Sequence, residues 1–401
     1  MGSASVSASV GGASVPDSPA AGRQGLRLVL LLLAALALYA IPLGWGLGAG
    51  SEWALDEPKL RQIVPELFEG GLGWPQRYPP LHRQLLSALI GTAYPLAEAA
   101  NRATGIEVDV LLRGLGRALS VTLAIGTLLL VFSIARRLFG TRAALLSALF
   151  WLGVAPQAYY AKTMNLDAPY VFWFALALEF FTRLQPEVRA RDLVGFALAG
   201  GAAILTKDQA GGLFVLPALL ILTWIYRAAR ARGAGALAAL GKTAFDPRIA
   251  GAALAMLLLV AVVYRFWNGF GELEAHLREI SSWNSVGRYQ ESPNTLAGHL
   301  QVAGRSGLNL AFCLGWPGLG VGVAAVAREL WLARSSGSRA LPLLAFPLSY
   351  YLFFVASIRF SFDRFFLPVA LVVALFSGGL LARFLETAPR DGAQSRGNAP
   401  A

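Results

Sequence analysis

Charge is scarce in this chain. Only 14% of its 401 residues are Asp, Glu, Lys or Arg, while 56% are hydrophobic; soluble domains carry about 25% charged residues. That excludes an ordinary soluble globule and points to a chain that crosses a bilayer many times. Cysteine is almost missing as well. The single Cys313 lies in an apolar run, so neither an internal disulfide framework nor a zinc-type spacing is available. The three histidines, His82, His276 and His299, are too scattered for a histidine-pair metal motif. Phosphate-loop and dinucleotide fingerprints, nucleic-acid motifs and internal repeats are also lacking. The alternating Gly44, Gly46 and Gly48 sit inside an apolar run and read as packing residues.

Apolar runs fill most of what remains. The first covers 26–48, behind Arg23 and Arg27, and is longer than a signal-peptide core of about 7–15 residues, so it reads as a retained membrane helix. Further runs lie at 111–135, 143–158, 167–181, 193–205, 211–226, 249–266, 300–327, 341–357 and 365–383. About 20 apolar residues span a bilayer. The expected fold is therefore all-α: a polytopic membrane bundle of about ten transmembrane helices, with juxtamembrane helices in the first outer loop. Residues 1–24, rich in Ser, Ala, Gly and Pro, read as a disordered tail. Residues 25–385 form the membrane domain and 386–401 a second disordered tail.

Segment 81–100 is only moderately apolar, and charge placement decides how it is read. If it stays on the outer surface, Arg136, Arg137, Arg183, Arg189, Arg191, Arg227, Arg230, Arg232, Arg328 and Arg339 all fall on one side. Most acids fall on the other. The positive-inside rule then makes the arginine side cytoplasmic, with both termini there. The net charge of +11 is explained by this bias, with anionic lipid phosphate as a second partner and nucleic acid excluded.

The segment 52–83 stands out within this frame. Asp56 and Glu57 follow the first apolar run, and Tyr78, Pro79 and Pro80 lead into His82 and Arg83. Other polar positions gather at outer helix ends: Lys162 and Asp167 around Asn165, Lys207 with Asp208 and Gln209, and Arg359, Asp363 and Arg364. Charges placed against hydrocarbon are expensive and mark candidate functional sites. Asp56 suits a general base or a metal ligand, and equally the acidic start of a helix. Lys207 suits a phosphate, or a pairing with its neighbour Asp208. Arg359 and Asp363 are four apart, the spacing of a helical ion pair. Asp167 also fits a cap for the helix that follows. The loop 267–299, with Trp267, Trp283 and Tyr289, fits a lid or an interfacial belt.

Six stretches taken in order carry a resemblance: WALDEP; RYPPLHRQLLSALI; RRLFGTRAALLSALFW; YYAKTMNLDAPYVFWFALALEFF; GGAAILTKDQAGGLFVLPALL; and FDRFFLPVALVVALFSG. Together they resemble membrane glycosyltransferases of the C-type fold, in particular the dolichyl-phosphate-mannose–protein mannosyltransferase superfamily with its aminoarabinose and lipopolysaccharide-core transferases. The resemblance implies transfer of a sugar from a polyprenyl-phosphate carrier on the extracytoplasmic face of the cell (inner) membrane. The acceptor would be a glycolipid, polysaccharide or protein. It implies Asp56 as the catalytic carboxylate with Glu57 beside it, Asp167 as the second-loop carboxylate, and Lys207 as the lysine of the LTK motif. Lys207, Arg364, Arg83 and Arg359 are the candidate donor-phosphate ligands. Asp167, Lys162, Tyr78, His82 and Asp208 are the candidate substrate contacts. Where relatives place a histidine before two prolines, this chain has Tyr78. The resemblance leaves room for a divalent metal at Asp56 and Asp167 without requiring one. The expected mechanism has Asp56 accept the proton of an attacking hydroxyl, with inversion at the sugar. A transporter or flippase of polyprenyl-linked lipids, or a non-catalytic lipid-binding protein, is the rival reading. The acids sit at outer helix ends rather than mid-membrane, and no repeat is present, which favours the enzyme.

Overall fold

The computed structural model describes residues 19–47, 57, 78–185, 187–282, 290–334 and 338–387. The expected terminal tails therefore lie almost wholly outside the described residues, as do Asp56, Trp283 and Tyr289. The first helix begins at Pro19 rather than near Gly25, and the last ends at Thr387.

In chain order the helices are α1 Pro19–Ala40, α2 Leu81–Thr104, α3 Val108–Phe139, α4 Thr141–Leu152, α5 Ala155–Tyr160, α6 Asp167–Arg183 and α7 Ala190–Thr206. They continue with α8 Gly211–Ala231, α9 Ala236–Ala244, α10 Pro247–Val263, α11 Gly271–Ser281 and α12 Leu296–Ala333. The last two are α13 Leu341–Ile358 and α14 Leu367–Thr387. No strand occurs among the described residues. Seven segments among the described residues are long and apolar enough to cross a membrane, and the chain is a multi-pass membrane protein. Helices α4, α6 and α7 are apolar but shorter, at 12, 17 and 17 residues. The weakly apolar α2 is not among the seven.

Local chemistry sets the ends. α2 stops where Gly105 takes the left-handed conformation (φ 74°) and donates to the Asn101 carbonyl. α10 starts on Asp246, which accepts from the Arg248 amide, with Pro247 at the first helical position. The run expected over 143–158 is split at Gly153 and Val154, so α4 and α5 are separate. α12 is two helical halves meeting at Gly315 (φ 69°, ψ 155°), two residues before Pro317. Gly315 takes a positive φ that suits glycine, and Pro317 has no amide to give, so the helix breaks there.

α14 lies at the centre, with 89% of its spanning window buried. Trp151, Phe174, Phe181 and Phe346 form the core with its own Phe376. Gly378 lets α14 close onto α4. A Cβ there would run into Ser147 and the Ala143 carbonyl, and Ser147 Oγ donates to the Leu375 carbonyl at 3.2 Å. Small residues at such crossings allow backbone approach where the apolar solvent provides no hydrophobic drive. Outward leucines on α1, α10 and α12, such as Leu33, Leu257 and Leu308, leave an apolar exterior.

The bundle has two distinct polar ends. Asp167 opens α6 and Arg183 closes it, about 24 Å apart at 1.5 Å per residue. Arg183 shares its end with Arg137 at the close of α3, and with the Arg142–Glu386 pair (3.8 Å) that joins the start of α4 to the end of α14.

Candidate active site

The site is built around the start of α6. The Asp167 amide donates to Asn165 Oδ1 at 2.9 Å, closing the turn that launches the helix. The Asp167 carboxylate is buried at 2% exposure. Its Oδ1 accepts from Lys207 Nζ at 2.6 Å, and its Oδ2 lies 3.9 Å from Arg364 Nη1. Lys207 reaches it because α7 ends there: Lys207 is extended (φ −154°, ψ 115°). Its ammonium also sits 5.1 Å over the Tyr170 ring. The Tyr170 hydroxyl donates to the Arg364 carbonyl at 3.4 Å. Among the described residues one carboxylate lies between two cations at the helix start, where the helix dipole is positive too.

Two expected pairings are corrected. Lys207 pairs with Asp167, not with its neighbour Asp208. Asp208 opens a 3₁₀ turn and meets His276 Nε2 of α11 at 2.9 Å, tying the segment after α10 to the end of α7. Arg359 and Asp363 do not share a helical face, because α13 ends at Ile358 and Arg359 is left-handed (φ 51°). Asp363 Oδ1 instead accepts from the Arg364 amide at 2.7 Å, and Arg359 makes no ion pair among the described residues.

Glu57 brings the first loop to this place. Its carboxylate is gripped on both oxygens by Arg117 of α3, Nε to Oε1 at 2.7 Å and Nη2 to Oε2 at 2.9 Å. Oε1 also accepts the Met164 amide at 2.8 Å. Arg117 Nη1 donates to the carbonyls of Leu43 (3.0 Å) and Trp45 (2.7 Å), and Arg113 Nη1 to that of Leu47 (3.0 Å). The two arginines, four apart on one face of α3, thus staple the exit of the first membrane helix. Asp56 is one peptide unit from Glu57, about 3.8 Å between Cα atoms. Met164, which Glu57 holds, is three residues before Asp167.

Forked, charge-assisted pairing of this kind is strong, and removing one partner of a buried pair costs about 3–5 kcal/mol. Arg117→Met is expected to lower thermal stability in detergent by an amount of that order. Glu57→Gln added to it is expected to recover part of the loss, a positive coupling read from a double-mutant cycle.

The remaining predicted residues take varied places. Lys162 stacks over Trp45 at 5.6 Å, beside the Arg117 staple. Arg83 is buried on the first turn of α2, and Tyr78 is half-buried ahead of Pro79 and Pro80. His82 is wholly buried, and burial lowers its pKa to about 3, which favours the neutral ring. Among the described residues both its ring nitrogens lack a hydrogen-bond partner, as do Asn165 Nδ2 and Thr206 Oγ1. Buried polar groups are nearly always satisfied, so donors on the residues flanking Asp167 and Lys207 fit a polar ligand better than an apolar core.

The donor set does not favour a metal at Asp167, whose two oxygens are already matched by cations. Among the described residues no three His, Cys, Asp or Glu gather to hold one. Sequence reading passed over Arg113, Arg117 and Tyr170. The arginines carried a signal, being two guanidiniums at helical spacing inside an apolar run.

Residues 115–250 match the family model described as dolichyl-phosphate-mannose-protein mannosyltransferase. No individual curated protein matches the sequence. Among solved structures the chain is similar to ArnT from Cupriavidus metallidurans bound to undecaprenyl phosphate. That match has a TM-score of 0.51 at 17% identity over 90% of this chain and 60% of that one. It is also similar to the Archaeoglobus fulgidus oligosaccharyltransferase tethered with an acceptor peptide, with a TM-score of 0.55 at 14% identity over 91% of this chain and 50% of that one. The archaeal oligosaccharyltransferase AglB from Archaeoglobus fulgidus, in complex with an inhibitory peptide and a dolichol-phosphate, gives a TM-score of 0.50 at 15% identity, covering 93% of this chain and 52% of that one. The chain thus spans between half and two thirds of the length of these proteins, and the likeness is one of fold.

Proposed function

We infer from the C-type membrane glycosyltransferase fold of this chain that it moves a sugar from a polyprenyl-phosphate carrier to an acceptor on the extracytoplasmic membrane face. The bound undecaprenyl phosphate and dolichol-phosphate of the two similar proteins support that donor class. The observation that carries the reading is the Glu57–Met164 contact. It sets Glu57, the chain neighbour of Asp56, within one turn of a buried Asp167–Lys207–Arg364 cluster.

In this reading Asp56 accepts the proton of the acceptor hydroxyl as that oxygen attacks the anomeric carbon. The bond to phosphate breaks on the opposite face, so the sugar is inverted and polyprenyl phosphate leaves. Lys207 and Arg364 neutralise the leaving phosphate, with Arg83, and Arg359 beyond the end of α13, as further cations. Asp167 orients Lys207 and Arg364 rather than binding sugar. Preorganised charge of this kind costs no reorganisation at the moment of reaction. Glu57 positions Asp56. His82, Tyr78 and Lys162 line the substrate side, and Asp208 anchors the α11 segment over it. The acceptor is a glycan, lipid or protein hydroxyl.

The test uses the purified chain with a panel of polyprenyl-phosphate monosaccharides labelled in the sugar. Appearance of free polyprenyl phosphate together with labelled acceptor is expected. Passage of intact donor between liposome leaflets without either product would make the protein a flippase and end the transferase reading.

A further inference from the structure

The end of the bundle away from Asp167 carries a second built feature. A cavity of about 570 Å³ opens between the close of α3, the close of α6, the start of α7 and the stretch ahead of α13. Five arginines line it: Arg137, Arg183, Arg189, Arg191 and Arg339. Two of them are locked side by side. Buried Glu179 accepts from Arg137 Nη2 and from Arg183 Nη2 through one oxygen, Oε1, each at 2.7 Å. Both guanidiniums stay 41% exposed, so N–H donors not spent on Glu179 remain available to the cavity. Arg189 and Arg191 flank the start of α7, which has no side-chain cap. Against five guanidiniums stand Glu187 and Asp192 on the wall and Glu179 behind it, an excess of two positive charges.

A cytoplasmic excess of arginine needs only a scatter of exposed side chains. Burying a carboxylate to hold two guanidiniums on one oxygen is costly, and it gathers the forked donors that suit phosphate oxygens. Basic pockets between membrane helices take phosphate headgroups on the same physical grounds. A second cavity of about 310 Å³ adjoins through the shared Glu187. Val188, Trp224, Ile225 and Ala228 make it partly apolar, and it could take the glycerol and first methylenes of a lipid.

We propose that the five-arginine cavity binds a phosphate-bearing anion, at a site separate from the Asp167 cluster and about a helix length from it. The phosphate comes either from an acidic phospholipid headgroup or from a soluble polyphosphate.

The full chain is placed in phosphatidylcholine nanodiscs. One arm adds phosphatidylglycerol to the bilayer; the other titrates inorganic pyrophosphate. A rise in thermal midpoint is expected in at least one arm. The shift should be lost in R189Q/R191Q/R339Q and kept in R227Q/R334Q/R383Q, which removes three exposed arginines outside the cavity. A shift in the lipid arm assigns the headgroup and one in the pyrophosphate arm a soluble ligand. No shift in either arm, or equal loss in both triple variants, overturns the site. If the cavity variant does not fold, Glu187→Gln decides. Removing that wall carboxylate is expected to tighten binding about two- to fivefold, the scale of a partly exposed charge contact, and unchanged affinity would overturn the proposal.

Discussion

Asp56→Asn is expected to leave the protein folded and to reduce sugar transfer by about 10²–10⁴-fold, the usual contribution of a positioned general base. Asparagine keeps the shape and much of the hydrogen bonding of aspartate but cannot accept the proton. The fold is expected to be unaffected because the neighbouring anchor is Glu57, whose carboxylate carries the contacts to Arg117 and Met164. Initial rates with saturating donor, set beside thermal midpoints, separate the two effects. Donor affinity should hold, since the phosphate-facing cations are untouched. Transfer at close to the normal rate would remove Asp56 from the chemistry.

Asp167→Asn is expected to behave differently, damaging stability and transfer together. The carboxylate holds Lys207 Nζ at 2.6 Å and faces Arg364 at 3.9 Å, with Lys207 only 4% exposed. Taking the anion away deprives a buried ammonium of its 2.6 Å carboxylate contact, a loss of about 3–5 kcal/mol. Asp167→Asn/Lys207→Met removes both charges of the pair and should regain much of the stability while transfer stays absent. Thermal melts of the two single variants and the double variant form the cycle. If Asp167→Asn melts like the unmodified chain, the pair does not organise the site.

The helical architecture was legible because hydrophobic runs of membrane length report directly on structure. The run at 111–135 falls wholly within α3 and that at 300–327 within the bent α12, while those at 26–48 and 365–383 have most of their length on α1 and α14. Their interruptions were less legible. The split at Gly153 and the bend at Gly315 depend on neighbouring helices as much as on local propensity. Residue types at the polar tips were also readable, since a lysine or aspartate at a hydrocarbon boundary is costly wherever it sits.

Pairing was not readable. Sequence proximity suggested Lys207 with Asp208 and Arg359 with Asp363; the first lost to a partner chosen by the fold and the second to the amide of the adjacent Arg364. Lys207 meets an aspartate forty positions earlier, and Glu57 an arginine sixty positions later. Ions at a membrane boundary take whichever counter-ion the packed helices place within reach, and chain distance has little weight in that choice. Glu179, which gathers arginines from two helices at the other end, escaped notice for the same reason.

The short turn from Met164 to Asp167 has a mechanical consequence. It is fastened at one side to the loop that carries Asp56 and at the other to the cations of Lys207 and Arg364, with only Asn165 and Leu166 between. So short a strut has almost no slack. A shift of an ångström or two at Asp167 must be passed on to Met164 or stretch the Glu57 contact beyond hydrogen-bond length. In the proposed function, a pull on one end of the turn is therefore felt at the other.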